Sequence, residues 1–133
     1  SHFQVASRVG TRVPLNWTAS GRLLVGHMPE EQRIDLFKRG ARISPTGRAT
    51  IDAKSLSDAA RKAFEERLSI QAGESDYAVA CIASPIVDNR GDCVATISIV
   101  LPEQKIVADK TGYADRVKAS AARIEQLMGW RNH

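Results

Sequence analysis

Two long apolar runs flank one short polar turn, and this pair constrains the fold more than any other feature of the chain. Tyr77 to Val87 is almost continuously apolar, and Cys93 to Leu101 is a second run rich in β-branched residues. Asp88-Asn89-Arg90-Gly91-Asp92 lies between them. Such a pattern makes an antiparallel hairpin. Both faces of each run are apolar, so the hairpin belongs in a sheet covered on both sides. Pro85 has no N–H to donate, so an irregularity or bulge is expected there. If the loop is Asp88 to Gly91, Val87 pairs with Asp92; without a bulge, Cys81 then stands opposite Ser98. Directly opposed side chains share a face. A five-residue loop, or a bulge at Pro85, gives a different register.

Helices are expected on either side of this hairpin. Asn16, Thr18 and Ser20 are N-cap types after Pro14, which predicts a helix from about Thr18 to His27 with Leu23 and Leu24 inward. Pro29-Glu30-Glu31 is a second helix start, with Ile34 and Phe37 on one face and Gly40 as its end. Arg42 to Asp52 lacks apolar periodicity and reads as an ordered loop. Ser55 is the next cap candidate. Leu56, Ala59, Ala60, Ala63, Phe64 and Leu68 follow it at helical spacing, opposite a charged face. A last helix spans roughly Lys110 to Met128, with Tyr113, Val117, Ala121, Ile124 and Met128 inward. Gln4 to Val9 reads as a short strand with no cap before it, which suggests that an N-terminal portion is missing.

Composition narrows the functional classes. A length of 133 residues makes one domain the default, and it can bury a core without staples. Cys81 and Cys93 show no paired-motif spacing, which favours a reducing, cytoplasmic setting. No apolar run reaches the ~20 residues that cross a bilayer, and no charged-then-apolar leader opens the chain, so no membrane partner is expected. Ser1-His2-Phe3 resembles a tag remnant, so His2 is set aside. The net charge of +4 is spread among acids, as on a solvated surface rather than a DNA-binding stripe. No helix-turn-helix, zinc-finger or leucine-zipper pattern is visible. Nor is there a glycine-x-serine-x-glycine elbow, a phosphate loop or a metal-ligand spacing. Glu30-Glu31 and Glu65-Glu66 read as solvated helix faces, although an acid/base pair assembled in space stays open. The expectation is a protein with no catalytic residue, metal or cofactor.

Several short motifs in order resemble the C-terminal effector-binding domain of IclR-type transcription regulators. Arg8-Val9-Gly10-Thr11-Arg12-Val13-Pro14-Leu15, then Ser20-Gly21-Arg22-Leu23-Leu24, is similar to the family's glycine-x-arginine-x-proline segment and the helix start after it. Gly73-Glu74 and Cys81-Ile82-Ala83-Ser84-Pro85-Ile86-Val87-Asp88 resemble its glutamate and its cysteine-isoleucine-alanine-x-proline strand. Ala95 to Ile99 is similar to the returning strand. The similarity covers the chain from Val5 to Gly129. It implies an α+β fold, a GAF-like curved antiparallel sheet with packed helices, in one effector-binding domain over residues 4–130. It implies that the domain's front and a winged helix-turn-helix domain, through which such regulators bind DNA, are missing. It also implies a small-molecule effector and a homodimer or homotetramer.

The resemblance places a ligand between the helix near Thr18 and the sheet. A helix N-terminus offers free N–H groups to a carboxylate, and Ala19, Ser20 and Gly21 allow close approach. Their alternative role is tight packing. Cys81 and Ser98 match pocket positions of the family, the alternatives being a core thiol and a backbone-bonded hydroxyl. Gln71 stands where members that bind small oxo-acids tend to have an aspartate, and Val100 where they have a second serine. These departures make the expected pocket less polar and its ligand a larger, partly apolar organic acid. Trp17 is either an aromatic wall of that pocket or a core or interface residue. A free-standing GAF-like binding module, an enzyme on the same scaffold, or a purely structural role are the competing readings.

Overall fold

In the computed structural model, residues 12–74 and 76–131 are described. The strand expected at Gln4 to Val9, and the first residues of the motif that begins at Arg8, lie outside them. The elements in order are α1 (Ala19–Val25), α2 (Glu30–Gly40), α3 (Ala53–Glu66), β1 (Ser69–Ala72), β2 (Val79–Val87), β3 (Cys93–Pro102), α4 (Glu103–Ala108) and α5 (Lys110–Leu127). Among the described residues the three strands form one antiparallel sheet in the order β1-β2-β3. The expected hairpin is present, with β2 in the centre.

Opposite faces of β2 feed separate core layers. Ala80 and Ile82 pack with Leu101, Ile106, Ala114 and Val117, beneath α4 and α5. Ala83 packs with Ala19, Leu23, Ala63 and Cys93, beneath α1 and α3, with Cys81 alongside. This is the two-sided cover that the unbroken apolar run demanded. A third cluster, with Val25, Phe37, Leu56 and Ala60, joins α1, α2 and α3.

The register differs from the expected one. Val87 pairs with Cys93, because the loop holds Asp88 to Asp92. Asp88 Oδ1 caps that loop by accepting from Arg90 and Asp92 N–H. A bulge between Ile86 and Val87 then adds a second shift, so Cys81 pairs with Val100 and Ser98 with Ala83. Pro85 itself pairs regularly with Thr96. Its missing N–H has a geometric explanation. Gly73 N–H donates to Val79 O, so odd-numbered β2 residues turn their peptide groups toward β1. Pro85 would do the same, but β1 ends at the Ser69–Ala83 pair. No ladder bond is lost.

Other boundaries moved for local reasons. Thr18 caps α1 as expected, but Leu24 faces outward and Val25 inward. Asp52, not Ser55, caps α3: its carboxylate accepts from Ser55 N–H at 2.9 Å. Arg67 takes a left-handed φ of 58°, which ends α3 and leaves Leu68 outside the helix. The unexpected strand β1 starts two residues later. Ala59 is exposed, while Ser57 is buried because it binds Arg33, itself buried on α2. On α5, Ala114 and Glu125 are buried with Val117 and Ala121, whereas Met128 is exposed beyond the helix end.

Candidate functional site

The register brings the predicted residues onto one face of the sheet. Gln71 pairs with Cys81 and Cys81 with Val100, so these three form a single row across β1, β2 and β3. Ser69, Ala83 and Ser98 form the next row. Cys81 and Ser98 are therefore diagonal rather than directly opposed, but they still share a face. The loop residue and the bulge each displace the pairing by one, and two displacements preserve the face of a period-two strand. The Cys81 thiol faces the side chain of Ser98 and the backbone of Ala19. Burial pushes that thiol's pKa up, and these two polar neighbours pull it down in part.

Helix α1 covers this face incompletely. Ala19 and Leu23 are fully buried against the sheet, and Ser20 Oγ accepts from Thr96 Oγ1 at 2.9 Å. Further along the same face of β3, Ser98 and Val100 are exposed, Val100 at 40%. Gln71, at 3%, is buried. The arrangement is a partly covered sheet face whose open end carries Ser98 and Val100 and whose rim is the first turn of α1.

The first turn of α1 owes much to packing. A Cβ on Gly21 would collide with the Leu15 carbonyl oxygen. Gly21 N–H is already taken by Thr18 Oγ1 at 2.9 Å. Gly21 thus lets α1 sit against its own approach segment, and its amide is committed to the cap. Trp17 is half-buried and donates Nε1–H to Arg42 O at 3.0 Å. Its neighbour Asn16 is fully buried, donating to Arg42 O and Thr50 O and accepting from Arg42 N–H. Both residues fasten the 42–52 loop beside the start of α1.

Several contributors lacked an individual signal. Arg22 and Glu74, each within a family-like motif, form an ion pair at 2.5 Å, and Arg22 also donates to Ile70 O. Thr46 Oγ1 donates to Glu74 O, which ties the loop to the end of β1. Thr96 carries no distinctive signal of its own, although strand alternation places it two residues from Ser98 on the same face. Cys93 is buried and bonded to Ala95 O, and burial pushes its pKa up to about 11. Nucleophilic thiols are held as thiolates by nearby positive charge, whereas here burial outweighs the lowering influences, that of Arg67 on Cys93 included. Two concave regions lie elsewhere. One, of about 330 Å³, runs between Arg33 and the charged face of α3; the other, of about 280 Å³, lies between Arg67 and α5. No described helix is long and apolar enough to cross a membrane.

A mixed α+β domain with a small-residue helix laid over an antiparallel sheet is a form used by ligand-sensing domains. Comparison with known proteins gives the particular family. Residues 1–126 match the model of the bacterial transcriptional regulator IclR C-terminal domain, and the chain belongs to that family. The HTH-type transcriptional repressor AllR of Escherichia coli is 25% identical over 134 residues, covering 100% of this chain and 49% of the repressor. The chain thus spans about half the length of that relative. The crystal structure of Thermotoga maritima IclR matches with a TM-score of 0.84 at 25% identity, over 98% of this chain and 53% of that one. An IclR homologue from Microbacterium hydrocarbonoxydans, complexed with 4-hydroxybenzoate, matches with a TM-score of 0.77 at 24% identity. It covers 93% of this chain and 50% of that one. The fold is accordingly the GAF-like α+β fold of IclR C-terminal domains, and the relatives are transcription regulators.

Proposed function

We propose that this chain is the effector-binding domain, spanning residues 4–130, of a cytoplasmic DNA-binding regulator. Its ligand is a small organic acid held between the first turn of α1 and the face of β2 and β3. The observation that carries this reading is the single row of Gln71, Cys81 and Val100, with Ser98 beside it, gathered from three separated segments beneath α1. Ser20, Ser98 and the Ala19 backbone supply polar contacts; Cys81 and Val100 supply apolar surface. Gly21 supports the rim through packing, and Trp17 steadies it from the 42–52 loop. A charged aspartate at position 71 and a hydroxyl at position 100 would suit a very small oxo-acid. With Gln71 and Val100, the face suits a larger acid with an apolar body. The 4-hydroxybenzoate complex of the Microbacterium homologue supports an aromatic acid as one candidate. Binding would favour one arrangement of the domain, and a winged helix-turn-helix domain in a dimer or tetramer would read that shift.

Calorimetric titration with aromatic acids, sugar acids, pyruvate and glyoxylate tests the proposal. Saturable binding of an aromatic or sugar acid is expected. Tight binding of the oxo-acids alone would refute the ligand class, and turnover of a bound acid would favour an enzyme.

A further inference from the structure

We infer that Thr96 is a positioning residue for this effector site, holding Ser20 so that the Ser20 hydroxyl proton is presented to the ligand's acidic group. The inference rests on the effector reading above. Thr96 Oγ1 donates to Ser20 Oγ at 2.9 Å. A serine hydroxyl has one proton and two acceptor lone pairs. With one lone pair occupied by Thr96, Ser20 still has its proton to give. The backbone of Ser20 has little freedom, because Gly21 beside it is wedged against the Leu15 carbonyl and its N–H is tied to Thr18. What is left to choose is the Ser20 side-chain rotamer, one of three staggered wells. The bond from Thr96 selects one. Thr96 suits this task because a β-branched side chain is itself stiff about its first torsion.

The location fits the role. Thr96 lies two residues from Ser98 on β3, so both face α1, and it is half-buried where Ser98 is exposed. Ser98 and the Ala19 backbone in turn neighbour the Cys81 thiol. Thr96 therefore stands at the boundary between the covered and open parts of this face. Without the Thr96 hydroxyl, nothing selects that rotamer, and Ser20 is free to turn its proton away from the open part of the face.

Thr96→Val keeps the shape and removes the hydroxyl; Thr96→Ser keeps the hydroxyl. Titration uses 4-hydroxybenzoate with its carboxamide, and gluconate. Thr96→Val should bind the tighter acid about tenfold more weakly, the scale of one hydrogen bond to a charged group. Thr96→Ser should stay near wild type. The carboxamide should lose less than the carboxylate. In a Ser20→Ala background, Thr96→Val should add no further loss, because it acts through Ser20. Wild-type affinity in Thr96→Val, or equal losses for acid and amide, would overturn the inference while leaving the effector reading intact. A wild-type protein that binds neither acid would overturn both. If Thr96→Val does not fold, Thr96→Ala is read against the same outcomes.

Discussion

Single residues in this domain separate packing from recognition with unusual clarity at Gly21. Its place in a family-like motif admits two explanations, ligand access or close packing. The Leu15 carbonyl against its Cα favours packing, and the cap bond to Thr18 removes its amide from ligand duty. Gly26 at the other end of α1 is similar, since a Cβ there would meet Phe64 and Ala60 O. Helix α1 is thus pressed against its approach segment at one end and against α3 at the other. Replacing Gly21 by alanine must push α1 away from Leu15 or from the sheet. Overpacking of this kind costs about 1–3 kcal/mol. Urea denaturation of Gly21→Ala should show a lower midpoint with an unchanged slope. An unchanged midpoint would mean that the approach segment yields freely. Ser20→Ala offers the contrast: it adds no atoms, so its expected effect falls on acid binding more than on stability.

Among the elements, α5 does more than cover the sheet. Beyond the end of β1, the Glu125 carboxylate receives Val87 N–H at 2.7 Å, so a side chain does what a neighbouring strand does elsewhere. The same carboxylate accepts from Arg67, at the end of α3, and from Arg131. One buried acid therefore joins the bulge, the α3 terminus and α5. Glu125→Ala would leave Val87 N–H without its acceptor and two guanidinium groups without their anion, a loss of about 2–3 kcal/mol. Chemical denaturation should register it, and Glu125→Gln, which keeps an acceptor for Val87, should lose less. Equal stability of all three proteins would remove Glu125 from this role. The hub also marks what a linear reading of the chain could reach. The hairpin, the α1 cap and the amphipathic α3 were legible, because apolar period and cap chemistry are local signals. Glu125 was hidden because two of its partners, Val87 and Arg67, lie 38 and 58 residues away in the chain. Strand β1 was hidden because Leu68 continued the helical spacing, and only the left-handed Arg67 ends that helix. The shared face of the candidate residues Cys81 and Ser98 was legible, but not their register. The pairing moved by two residues, and period-two geometry returned Cys81 and Ser98 to a shared face.

At the scale of the whole domain, the proposed effector face is tied to the rest of the fold through α1, which packs on β2 and β3 and on α3. Any ligand that bonds the first turn of α1 therefore stabilises the native domain as a unit. At a free concentration of 100 times its Kd, a ligand adds about 2.7 kcal/mol, on the order of 10 °C in melting temperature for a domain of this size. This makes thermal shift a measure of which acids fit. In the wild-type protein, Val100 and Gln71 bracket Cys81 on one row, one apolar and one uncharged. An aromatic acid should raise the melting temperature more than pyruvate or glyoxylate does. Val100→Ser introduces a hydroxyl at the open end of the row, where a small polar ligand can use it and an apolar body loses contact. Gln71→Asp introduces a charge at the buried end. The double variant should reverse the ranking, with pyruvate or glyoxylate giving the larger shift, because a site built to hydrogen-bond a polar group discriminates strongly by leaving that group unpaired with the wrong ligand. Since Gln71 is buried, the charged variant is also expected to be less stable when free, so the comparison is between ligand-induced shifts within each protein. An unchanged ranking in a folded double variant would place ligand selection away from this row.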